Sequence, residues 1–138
     1  MRRPTRLLLA LSLICGLFAA GATATPAQAQ TDPPVVSCDV DYIVVAHWGT
    51  GHQAMVVVTN TGNVPVWWYV LIKFGPGVSA AQAWDVQVTV HGDTWLFEPS
   101  PPWNTFPQPL LPGQSATFGL VVAGPPEVEH IEVVCHQA

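Results

Sequence analysis

From residue 38 onward, no apolar run in this chain lasts long enough to close a helix before a turn signal interrupts it. The runs are Val40–Ala46, Met55–Val58, Trp68–Phe74, Val86–Val90, Trp95–Phe97, Ala116–Ala123 and Val128–Val134. Valine, isoleucine, threonine and aromatic residues dominate them, the residue types that fit a pleated, half-buried surface. Between them lie Gly49-Thr50-Gly51, Asn60-Thr61-Gly62-Asn63, Gly75-Pro76-Gly77, His91-Gly92-Asp93, Pro112-Gly113 and Gly124-Pro125-Pro126. No segment sustains a helical period. The pattern predicts an all-β chain, an antiparallel β-sandwich of the immunoglobulin-like kind with seven to nine short strands. "VEHIEVV" (Val128–Val134) alternates as an edge or half-exposed strand does. "EPSPPWNTFPQPLLPG" (Glu98–Gly113) carries five prolines before Pro112, each lacking the amide hydrogen a central ladder needs, and reads as a stiff extended loop.

The N-terminus has a different character. Arg2, Arg3 and Arg6 precede an apolar run from Leu7 to about Ala20, and small residues follow up to Ala27-Gln28-Ala29. A basic start, a short apolar stretch and an A-x-A site predict a secretory signal peptide over 1–29; the run is too short to cross a bilayer, which takes roughly 20 residues. Cleavage after Ala29 leaves a short lead, 30–37, and one domain, 38–138. Three of the four basic residues leave with the signal. Lys73 alone then faces nine carboxylates, a net charge of −8 with His neutral. Such a surface repels nucleic-acid phosphates and anionic lipids, so neither nucleic acid nor membrane is expected as a partner. Cys15 goes with the signal. Cys38 and Cys135 remain, and an even pair outside the cell reads as a disulfide joining the two ends of the domain.

The predicted domain holds all six tryptophans. Trp68 and Trp95 lie within strand-like runs and read as core. Trp67, next to Trp68, must point to the opposite face or cover an edge. Trp48 stands before a Gly-x-Gly turn, Trp84 ends a segment before Asp85, and Trp103 lies in the proline-rich loop before Asn104. Loops run over the surface. Three indoles left there cost hydration free energy and mark a binding surface; the bland alternative is that they cap the ends of the sandwich. Separate flat rings with little charge around them suit pyranose units, whose C–H face stacks on an indole while Gln and Asn amides meet the hydroxyls. Stacking of this kind is worth about 1–3 kcal/mol per ring, by analogy with nucleobases.

With these residues in view, the chain resembles the bacterial carbohydrate-binding modules of family 2, the cellulose-binding type. "CDVDYIVVAHWGTGH" resembles the family's opening cysteine and tryptophan turn, and "VVVTNTGNVPV" (Val56–Val66) its Val-x-Val-x-Asn segment. "WYVLIKFGPG" (Trp68–Gly77) resembles the strand that follows, and "AQAW", "PWN" and "LPGQSATFGL" match its later motifs. The resemblance implies a sandwich closed by a terminal disulfide, with Trp48, Trp84 and Trp103 as ligand tryptophans and Gln82 as a polar contact. Asn104 follows Trp103 and adds a second amide. The chain departs from the family's pattern at Ala46 and Met55, where polar contacts are common, at His52, where the family has Phe, and at Trp67, where it has Gly.

Enzyme chemistry finds little footing. Glycoside cleavage needs two carboxylates across a cleft. Asp39 and Asp41, and Glu127, Glu129 and Glu132, read instead as solvated strand faces. His47 and His52 flank Trp48 without further ligands at metal spacing and read as surface residues. The sequence therefore predicts a secreted, monomeric, non-catalytic binder of cellulose or a related β-1,4-glucan, with no metal or cofactor. The rival readings are a protein-interaction or cell-surface sandwich, and a binder of xylan or chitin.

Overall fold

Alternation becomes structure most plainly in β2 (Gly51–Asn60). Its Ala54, Val56 and Val58 are fully buried, and the residues between them are half-buried. β3 (Val66–Phe74) buries Val66, Trp68, Val70, Ile72 and Phe74 in the same rhythm, and β7 (Ser115–Ala123) buries Ala116, Phe118, Leu120 and Val122. The other strands are β1 (Cys38–Trp48), β4 (Ala80–Trp84), β5 (Val86–His91), β6 (Thr94–Pro99) and β8 (Val128–Gln137). The computed structural model describes residues 31–101 and 106–138, with Gly21, Ala27 and Ala29. Most of the predicted leader lies outside the described residues, and so do Trp103 and Asn104.

The eight strands form two antiparallel four-stranded sheets, β1-β2-β7-β4 and β5-β6-β3-β8, the sandwich that the turn spacing predicts. Their inner faces meet around Phe118, which stacks on Phe97 at 5.6 Å and on Trp68 at 6.0 Å between ring centroids. Each buried side chain of this size stabilises the fold by about 1.5–3 kcal/mol, and each aromatic pair adds roughly 0.5–1.5 kcal/mol. Cys38 on β1 and Cys135 on β8 form a disulfide, Cα–Cα 6.3 Å, that ties an edge of one sheet to an edge of the other.

β4 is absent from the apolar runs. Its alanines carry little strand preference, and it exists because its backbone completes the edge of β7 from Ala80↔Ala123 to Trp84↔Gly119. One residue, Asp85 at φ +68°, then turns the chain into β5 of the other sheet; aspartate tolerates this left-handed region better than most residues. Asn60 closes the opposite end. Its amide donates to the carbonyls of Val64 (2.8 Å) and Leu110 (2.9 Å), and its Oδ1 accepts from the Gly62 amide (2.9 Å). The proline-rich segment is thereby anchored at Leu110, which is fully buried and paired with Val66.

Candidate functional site

Strand register gathers the predicted surface residues on the outward face of the β1-β2-β7-β4 sheet. One row runs Trp84, Gly119, Met55, Ile43, and the next runs Gln82, Val121, Gln53, Ala46. Four residues from Met55 along β2, Gly51 pairs with Trp48. These positions alternate with the buried ones, so all point away from the core. Trp48 is 48% exposed and Trp84 41%. Their rows are separated by about 13 Å along the strand direction, a span that no single sugar ring bridges.

Two glycines decide how the indoles sit. The six-membered ring of Trp84 lies directly over Gly119, where a methyl group would overlap Cζ2 and Cε2 outright. Trp48 lies across Gly51 in the same manner; a Cβ there would come 3.1 Å from Cζ2 and 3.2 Å from Cε2, and would press on the Val122 carbonyl at 2.5 Å. Both rings therefore rest on backbone. Neither glycine has a positive φ, so the requirement is close approach and not backbone conformation.

Gln82 is exposed, one strand away from Val121 and two from Gln53. Gln53 escaped the sequence reading because no motif marks it. The signal was its parity: with His52 turned inward, Gln53 must face out. It places an amide between the two tryptophan rows, beside the apolar Met55 and Ala46. Trp103 and Asn104 lie outside the described residues, so the geometry brings together Trp48, Trp84 and Gln82 of the five predicted site residues.

The other tryptophans divide as the sequence suggests for Trp68, which is 3% exposed in the core. Trp95 is half-buried, edge-on to Phe74 at 5.8 Å. Trp67 points outward from β3, opposite His136. His52 is a correction. Expected at the surface, it is fully buried. Its Nδ1 lies 3.2 Å from the Gly124 carbonyl, which can only accept, so Nδ1 carries the proton and Nε2 accepts from the Tyr42 hydroxyl at 2.6 Å. Burial pushes the Tyr42 hydroxyl pKa up and keeps it a donor. Both ring nitrogens of His52 are thereby engaged inside the sandwich. Asp39, Asp41, Glu127, Glu129 and Glu132 are exposed.

The described residues thus form a two-sheet sandwich with a disulfide between β1 and β8 and two exposed indoles seated on one face. The family model described as "Cellulose binding domain" matches residues 38–134, and the chain belongs to that family. It is 32% identical over 87 residues to endoglucanase E-5 of Thermobifida fusca; the match covers 62% of this chain and 18% of that protein's length. Among solved structures it resembles the chitin-binding domain of Chi18aC from Streptomyces coelicolor, at TM-score 0.59 and 32% identity, covering 70% of this chain and 90% of that one. It also resembles the chitin-binding domain of a Pyrococcus furiosus chitinase, at TM-score 0.53 and 26% identity, covering 76% and 97%.

Proposed function

We propose that the chain is a non-catalytic module that binds an extended, uncharged β-1,4-linked polysaccharide, cellulose foremost, on the outward face of the β1-β2-β7-β4 sheet. Trp48 and Trp84 stack on sugar rings of one chain, and Gln82 and Gln53 exchange hydrogen bonds with its hydroxyls. Trp103 and Asn104 are assigned to the same surface on the sequence resemblance. The observation that carries this reading is the seating of both exposed indoles on glycine backbone, which lays them against the sheet and suits a flat ligand. Few charges lie near the rings, and a neutral polymer needs none. Export by the 1–29 leader would deliver the monomeric module to such polymers outside the cell.

Chitin is the second reading, favoured by the two chitin-binding domains it resembles. Pelleting the purified protein with cellulose, chitin and xylan side by side separates the readings, with cellulose expected to retain most. Each stacked ring contributes about 1–3 kcal/mol, so Trp48→Ala/Trp84→Ala weakens binding by roughly 30-fold or more. Trp103→Ala tests the third ring in the same assay. Unaltered pelleting of the double variant would refute the site.

A further inference from the structure

The described residues contain a cleft that the stacking surface does not use. It lies on the β5-β6-β3-β8 side, where the end of β3, the β5–β6 hairpin and the start of β8 meet, and has a volume of about 450 Å³. Ligand sites commonly measure about 300–1,000 Å³. Its floor is aromatic: Trp95 meets Phe74 edge-on. Val90, 51% exposed, forms an apolar lip. The rim is ionic. Lys73 Nζ lies 3.1 Å from Asp93 Oδ2 and 3.2 Å from Glu129 Oε1, and Thr94 Oγ1 donates to Asp93 Oδ1 at 3.2 Å. Gly92, at φ +63°, makes the turn that brings Asp93 over β3.

This arrangement selects a ligand by exclusion. Two carboxylates against one ammonium leave the rim at −1, which disfavours anions. The ammonium already fills the space between the carboxylates, which disfavours a metal cation. What remains is an aromatic floor beside a fixed donor and several unspent acceptor lone pairs. A neutral ring with a C–H face and hydroxyl edges matches both halves.

We infer that this cleft is a second carbohydrate subsite, one that takes a single sugar unit at a chain end or in a soluble oligosaccharide, on the opposite sheet from the stacking surface. The choice of a sugar rests on the carbohydrate-binding reading above. With two such sites, the module grips a polymer along its flank on one sheet and captures a free end on the other. Asp93 and Glu129 accept hydroxyl protons, Lys73 donates, and Trp95 supplies the apolar contact.

The test is an amide and indole N–H NMR titration of the folded domain with a soluble β-1,4-linked glucose tetrasaccharide. The Trp95 indole and the Gly77 and Gly92 amides should shift and saturate. Asp93→Ala/Glu129→Gln alters side chains that are 71% and 51% exposed, so the fold should persist. It should weaken these shifts by roughly tenfold, as loss of charged hydrogen-bond acceptors does, while cellulose pelleting stays unchanged. Shifts confined to Trp48, Trp84 and their neighbours, or cleft shifts indifferent to the double variant, would overturn the subsite. Failure of the unaltered protein to pellet with any polymer would overturn the stacking surface instead, a result the cleft signals do not control.

Discussion

At the scale of single residues, the contact between an indole and a glycine is the most sensitive feature of the face. Trp84 can lie against β7 only because position 119 has no Cβ. Gly119→Ala should push the ring off the sheet and forfeit much of the roughly 1–3 kcal/mol that the proposed stacking would contribute, a loss of about tenfold in polymer affinity. The Trp84 environment changes at the same time, so intrinsic fluorescence should move with the binding isotherm. Thermal stability should change little, because Gly119 faces outward. An alanine variant that binds as the parent does would show that the ring's seat is irrelevant to the ligand. The segment "LPGQSATFGL" (Leu111–Leu120) carries that glycine in the sequence, but what rests on it is visible only once β4 is paired with β7.

Individual elements are held by a few polar ties, and these can be cut separately. Asn60 joins the end of β2 to the Val64 carbonyl and to Leu110, where the proline-rich segment returns to the core. Asn60→Ala removes three hydrogen bonds at once, although the Leu110 carbonyl keeps the Val66 amide, and should destabilise the domain by about 1–3 kcal/mol, measured by urea unfolding. Lys73 ties β3 to the β5–β6 hairpin through Asp93 and to β8 through Glu129. The hydrogen bond to Lys73 holds the Asp93 carboxyl below its usual range, and the same bond, with that to Glu129, raises the lysine. A lowered carboxyl stabilises the fold above its unfolded value and loses that effect as pH falls through the folded value. A raised lysine stabilises below its unfolded value and loses the effect as pH rises through the folded one. Lys73→Met should therefore lower Tm slightly at neutral pH, and the difference should vanish in strong acid and in strong alkali. Exposed pairs are screened, so added salt should shrink it too.

For the whole molecule, the disulfide is the main covalent constraint. It links β1 of one sheet to β8 of the other across a sequence separation of 97 residues. Closing a loop of that length stabilises a fold by about 4–5 kcal/mol in the chain-entropy picture. Cys38→Ser/Cys135→Ser should lower Tm by roughly 20 °C or more on calorimetry. Below its own Tm the variant should still pellet with the polymer, because neither cysteine lies on the tryptophan face. Loss of binding by a folded variant would mean that the sheets need the cross-link to hold the face in shape.

Fold class, the cysteine pair and the exposure of Trp48 and Trp84 were legible in the sequence because they rest on local chemistry. Period-2 alternation has one backbone solution, Gly and Pro punctuation sets strand lengths, and an indole beside a turn is short of neighbours to bury it. Trp68 reads as core for the same reason. Four things were settled by tertiary structure alone. β4, poor in strand-forming residues, is recruited by the free edge of β7. His52 turns inward because Tyr42 and the Gly124 carbonyl, 72 residues away, satisfy both of its nitrogens. Gln53 joins the face through its register with Val121. The cleft by Trp95 exists because three segments distant in sequence close around it. Each depends on which strand lies beside which, and strand neighbours are chosen by the packing of the whole sandwich, not by the residues adjacent in the chain.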